Sequence, residues 1–370
     1  MGTQNRFWRT FLATALAALL LFLPSGWVLA QDSNPTAYTD LSGYSGEAEI
    51  RSLLDAGILE IEPDGKFHPD QPFTRLSFLP PLARMSRLNS ATPTYPAAIP
   101  FTDVPVSNYA YPDLQRILQT ALYPDRFFRG IAEGTTLKPD LSLTVAEGLA
   151  LIVRSRGWVH GVQLPGSSPF ADVPSDHWAF PEIFAAYEHG LLSTDMVDPD
   201  TPLARWQGAV YLSRALGQEP QKTIYISLAQ YDWSLYLAEG AFVMATLPQL
   251  SGQAGMETPV GEYTVLSKSD VTTMSGADYV VPNVRWCLFF IGRTYAIHGN
   301  WWKPDGFFGQ DPSKNGSHGC VGLIQPLEGD EGKPGEKGRD DAKILYDWAP
   351  VGTLIVITTD LLRDQFHSRP

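Results

Sequence analysis

The chain has 370 residues, a formal charge of −13, two cysteines, 30 prolines and 32 glycines. That acidic balance excludes nucleic acid and anionic membrane surfaces as partners, since both select for basic patches. Two cysteines give no disulfide framework, so stability must come from packed cores, and the length points to two domains.

The first 30 residues read as an export signal. Arg6 and Arg9 precede a short apolar run from Phe11 to Leu23, Pro24 and Gly26 break it, and Val28-Leu29-Ala30 offers a cleavage site. The run falls short of the ~20 apolar residues a spanning helix needs. The expected product is exported to the periplasm or cell wall, with no integral membrane span in the mature chain.

Repetition organises the next 180 or so residues. YTDL at Tyr38, FTDV at Phe101 and FADV at Phe170 each open a similar unit, about 38–90, 101–157 and 170–217. In the third, PSDHWAFPEIFAAYEHGLLS predicts a helix with Ile183, Phe184, Ala186 and Tyr187 on one face and Gly190 ending it. A Pro-Asp turn comes next in each unit (HPDQPFTR, KPDLSLTV, DPDTPLAR), then a second amphipathic helix such as WQGAVYLSRALG. Two helices cannot bury their apolar faces alone, so the three units are expected to pack into one all-α module.

These units, over about 36–218, resemble S-layer homology (SLH) repeats. The resemblance implies a three-repeat module that binds a cell-wall polymer with help from an arginine in each turn. Thr74-Arg75 keeps that position and Ala204-Arg205 nearly so, whereas the second unit has Thr144-Val145. A helical spacer without a ligand is the alternative.

The polar segment GQEPQKT, 217–223, marks the domain boundary. Beyond it, short alternating runs predict strands: TIYISLAQYDWSLYLAEGAFVMATL as strand, hairpin and strand, then EYTVLS, RWCLFFI, TYAIHG and TLIVIT, with one helix near Asp340 to Trp348. The second domain is therefore mainly β.

Cys320 lies in NGSHGCVGL, outside any continuous apolar run. The preceding glycine lets backbone approach a substrate closely. A thiol attacks as thiolate and needs an imidazole nearby; His318 and His298 are the candidates. Cys287, inside RWCLFF, reads as a small packing residue. A disulfide between the cysteines, or zinc on His298, His318 and Cys320, are alternatives, although no familiar zinc spacing is present.

Taken together, TPVGEYTV, VPNVRW, YAIHGN, SHGCVGL and LYDWAPVGT resemble the L,D-transpeptidase (YkuD-type) family over about 222–359. The resemblance implies that Cys320 is the nucleophile and His298 its base. It implies that the Gly299 carbonyl orients the imidazole and that amides around Gly319 and Cys320 hold the oxyanion. His318 and Ser317 would line the substrate pocket. No metal and no cofactor are expected. The substrate would be peptidoglycan stem peptides, cross-linked between third residues through a cysteine thioester. Water in place of the acceptor amine would make an L,D-carboxypeptidase, and a free D-amino acid or protein lysine is a further acceptor. A non-catalytic wall-anchoring protein is the reading outside enzymes. Two departures stand out: the His298 to Cys320 interval is longer than usual, and Gly322 replaces the family's Asn or Arg.

Overall fold

The computed structural model describes residues 38–88, 99–160, 162–193, 195–276, 279–313, 315–326, 339–360 and 362. The export signal expected at 1–30 lies outside the described residues. Among these residues no helix is long and apolar enough to cross a membrane.

The first half is built from helices α1 (Glu47–Asp55), α2 (Leu79–Met85), α3 (Tyr111–Thr120), α4 (Pro124–Phe127), α5 (Val145–Arg156), α6 (Phe180–Glu188) and α7 (Arg205–Leu216). Three aspartates perform the same local task. Asp40 accepts from the amides of Phe67 and His68, Asp103 from Leu137 and Lys138, and Asp172 from Val197 and Asp198. Each carboxylate thereby holds a turn whose pivot has φ near +55° (His68, Lys138, Asp198), a left-handed conformation that costs side chains energy.

Those turns close on one another. The amide of Leu143 donates to the carbonyl of Phe73 (2.8 Å), that of Leu203 to Leu143 (2.7 Å), and that of Phe73 to Leu203 (2.9 Å). The ring satisfies backbone groups that a helical module would otherwise bury unpaired. Two of the turn arginines lie in the joints between successive turns. Arg75 pairs with Glu147 at 2.6 Å and donates to the Leu137 carbonyl; Arg205 pairs with Glu62 at 2.7 Å and donates to the Glu60 carbonyl. Glu147 also completes a capping box with Thr144 at the start of α5.

The helix α6 corrects one sequence expectation. Ile183 and Ala186 are buried, but Tyr187 is 40% exposed and Phe184 only half-buried, while Glu182 is buried at 2%. The cause is Arg154 of α5, whose guanidinium reaches the Glu182 carboxylate at 2.6 Å. The ion pair compensates the charge of the inward-facing Glu182 edge.

Among the described residues, the second half contains two sheets. One runs β3 (Phe242–Pro248), β2 (Ser234–Glu239), β1 (Lys222–Ser227), β9 (Leu354–Thr358), β4 (Gly261–Thr264); the other runs β5 (Ser267–Ser275), β6 (Val280–Ile291), β7 (Tyr295–Gly299), β8 (Val321–Leu323). Both are mixed: β1 pairs with β9 in parallel, as does β7 with β8, and the other pairings are antiparallel. Helix α8 (Asp341–Trp348) contributes Ala342 and Leu345 to a core shared with Ile226, Leu288, Ile297 and Val321. This core backs β7 and β8, the strands that carry the candidate site.

The residues from Asp40 onward form one unit, and its two halves meet through backbone. Gly240, in the β2–β3 turn, sits so close to the end of α5 that a Cβ there would lie 1.9 Å from the Ser155 carbonyl oxygen. Ala241 donates to that oxygen, and Leu122 donates to Ala241. Glycine is required at this contact because no side chain fits.

Candidate active site

His298 is the fourth residue of β7 and is 4% exposed. Its Nδ1 lies 2.8 Å from the Gly299 carbonyl oxygen, which assigns the proton to Nδ1 and leaves the Nε2 lone pair free to accept. The ring stacks against Trp302. Burial pushes the imidazole pKa below its ordinary value, only partly opposed by the Gly299 carbonyl. The resting imidazole is therefore neutral at neutral pH.

Cys320 directly precedes β8. That strand lies parallel to β7 with Ile297 opposite Val321, His298 opposite Gly322 and Gly299 opposite Leu323. The thiol sulfur stands 3.7 Å from the carbonyl oxygen of Thr294, the residue before β7. Burial pushes the thiol pKa up, and the Ala296 backbone pulls it partly back. The surroundings of each group thus favour its neutral form.

The loop before Cys320 is held by side chains. Ser317 Oγ donates to the Cys320 carbonyl and accepts the Gly319 amide at 3.0 Å. The Gly319 N–H is thereby engaged by Ser317 in this structure. Gly319 has φ +106°, and a Cβ would lie 2.6 Å from the Tyr295 ring, so glycine is required here. Thr258, 3% exposed, donates to the Gly319 carbonyl at 3.0 Å and accepts the Gly252 amide at 2.9 Å. Sequence reasoning passed over Thr258; the signal was a threonine heading the TPVGEYTV block. His318 is exposed and stacks on Tyr279 at 4.9 Å, on the rim of the loop.

Both cysteines are free. Cys287 is fully buried among Val284, Phe289 and Ala296, and burial, with Cys320 adding, pushes its thiol up to about 12. Gly322, where a larger residue was anticipated, is matched by Asn300: a Cβ at 322 would stand 2.7 Å from Asn300 Nδ2. Asn300 is buried, and its Oδ1 has no hydrogen-bond partner among the described residues. The long segment after Gly299 folds back on the domain, with Trp301 donating to the Pro282 carbonyl, Gly309 to the Gln249 carbonyl, and Phe308 buried.

Residues 221–357 match the L,D-transpeptidase catalytic domain family (YkuD). Residues 37–79 match the S-layer homology domain, so the chain carries an SLH domain N-terminal to a YkuD-type catalytic domain. A curated relative is the surface-layer 125 kDa protein of Lysinibacillus sphaericus, 24% identical over 228 residues; the match covers 58% of this chain and 18% of that protein. Similar solved structures include an L,D-transpeptidase from Mycobacterium tuberculosis H37Rv, with 22% identity, 37% of this chain, 57% of that chain and a TM-score of 0.30. A mutant of Enterococcus faecium L,D-transpeptidase gives 20%, 37%, 50% and 0.30. The match thus spans about half of these solved chains and under a fifth of the surface-layer protein.

Proposed function

We propose that this protein is an exported L,D-transpeptidase that cross-links peptidoglycan stems and is held at the wall by three SLH repeats. The observation that carries the chemistry is His298 Nδ1–H donating to the Gly299 carbonyl, on the strand paired in parallel with the one that Cys320 directly precedes. That hydrogen bond fixes the tautomer in which Nε2 acts as base, a role filled by a carboxylate in other triads.

The reaction begins with His298 Nε2 accepting the thiol proton as Cys320 Sγ attacks the carbonyl carbon of the third stem residue. The Cys320 amide donates to the oxyanion. The C–N bond to the terminal D-alanine then breaks, the amine leaves with the proton from Nε2, and a thioester remains. An amine on a second stem attacks the thioester and loses a proton to Nε2, which returns it to sulfur. With burial favouring the neutral form of each group, proton transfer accompanies attack in this reading.

Wall attachment rests on a separate observation. The closed ring among Phe73, Leu143 and Leu203 and the matching roles of Asp40, Asp103 and Asp172 support reading all three units as SLH repeats. Residues 31–218 carry the wall polymer contact in this account, and 222–359 the catalysis. Pelleting the full protein with purified sacculi tests the first assignment. Incubation with a disaccharide-tetrapeptide tests the second: dimers linked between third residues are expected. Release of D-alanine without dimers would instead make it a carboxypeptidase.

A further inference from the structure

Four arginines among the described residues of the helical half are largely buried, and three have a carboxylate within 2.7 Å: Arg75 with Glu147, Arg154 with Glu182, and Arg205 with Glu62. Arg156 differs. It ends α5, is 5% exposed, and its Nε has no hydrogen-bond partner among the described residues. Glu219 and Glu239 act on it only as charges at a distance, and burial pulls its pKa down to about 10. A buried guanidinium left without a bonded anion is costly, because it cannot neutralise itself at any ordinary pH.

Arg156 opens onto a cavity of about 270 Å³ between the end of α5, the turn after α2 and the β2–β3 hairpin. Ser86 lines the same space, and its buried Oγ also lacks a partner among the described residues. The opposite charge is present too. Glu219 is exposed at the edge, and Glu239 lines the wall while its Oε1 accepts from Trp348. Met244, half exposed, and the buried Phe242 line its apolar side.

We propose that this cavity is a binding site for a small zwitterion, an α-amino acid with a short apolar side chain. Its carboxylate pairs with Arg156 and accepts from Ser86, its ammonium pairs with Glu219, and its side chain rests against Met244. A phosphate dianion fits less well, because the two glutamates offset the positive charge of Arg156 and the neighbouring Arg87. An uncharged sugar would leave Arg156 unpaired. Since the cavity lies where the helical and β halves join, the bound molecule stabilises that junction.

Thermal unfolding and titration calorimetry of the full protein test the site, with L- and D-alanine, acetate and inorganic phosphate as probes. Alanine is expected to raise Tm, acetate to bind at least about tenfold more weakly for want of the ammonium contact, and phosphate to have little effect. Glu219→Gln should bring alanine down to the level of acetate. Arg156→Met should abolish the alanine effect and raise Tm without ligand, since it removes an unpaired buried charge. Ser86→Ala, the milder change, should weaken alanine severalfold. The proposal is overturned if alanine gives no shift, if its shift survives Arg156→Met, or if phosphate stabilises more than alanine. It is equally overturned if Arg156→Met lowers the ligand-free Tm, which would show the guanidinium already paired within the chain. Should Arg156→Met not fold, unchanged alanine affinity in both Ser86→Ala and Glu219→Gln decides against the site.

Discussion

The side chain of Asn300 occupies the space that any side chain on residue 322 would need, its Nδ2 lying 2.7 Å from the position of a Cβ on Gly322. Gly322 and Asn300 are therefore a matched pair. Gly322 is also fixed from behind by reciprocal backbone bonds with Leu250 (2.9 and 2.8 Å). It has no room to move away.

Gly322→Asn alone should destabilise the protein by about 1–3 kcal/mol through overpacking. It should cut turnover about tenfold or more, because β8 carries Cys320 into position. Combining it with Asn300→Gly should recover most of the stability. Urea denaturation of the two single variants and the double variant measures the coupling, and simple additivity would contradict the pairing.

The lowered pKa of His298 has a pH signature. Burial holds the His298 pKa below 6.5, so the acid limb of kcat/KM should have its midpoint below that value. The same shift gives a stability effect. Above 6.5 the imidazole is neutral in both folded and unfolded chains; as pH falls through 6.5, the unfolded chain takes up the proton first. Stability should therefore decline from pH 6.5 downward through the folded pKa, and His298→Gln should flatten that decline. An acid limb above 6.5 would contradict this reading.

Burial raises both thiols, but Cys287 is fully enclosed and pushed up to about 12, whereas Cys320 is partly exposed. Iodoacetamide should modify Cys320 first, at a rate that keeps climbing into the alkaline range without a plateau near neutrality. Peptide mapping after timed alkylation checks both points. Faster labelling of Cys287 would remove Cys320 from its role.

Local patterns made much of the second half legible. The AEG turn marked the β2–β3 hairpin, and the apolar run RWCLFFI marked the buried end of β6. Strand β5 was not legible, because its residues are mostly polar and largely exposed, leaving no apolar alternation. Strand β8 is only Val321–Leu323, too short for any periodicity. The reach of long-range partners explains the remaining gaps. Nothing near Ser317 in sequence says that its hydroxyl engages the Gly319 amide, and nothing near Thr258 says that it supports Gly319 from another strand connection. In the first half the recurring aspartates were readable, but the ring of Phe73, Leu143 and Leu203 is a property of the assembled turns. The inward placement of Glu182 depended in the same way on Arg154.

The joint between Arg75 and Glu147 should matter for folding. Their side chains are 9% and 7% exposed, so Arg75→Met leaves a buried carboxylate without its cation and should cost about 3–5 kcal/mol. Arg75→Met with Glu147→Met should cost much less than Arg75→Met alone. Chemical denaturation of these variants checks it, and equal losses in both would show that the pair does not clamp the turns.

The central claim is that Cys320 forms the acyl-enzyme thioester with a stem peptide. Mass spectrometry of the intact protein, quenched in acid during turnover of a disaccharide-tetrapeptide, measures it most directly. The account predicts a transient mass gain equal to the substrate less D-alanine, located on Cys320, chased by dimer formation, and absent from Cys320→Ala, which makes no dimer. Undiminished dimer formation by Cys320→Ala would contradict it.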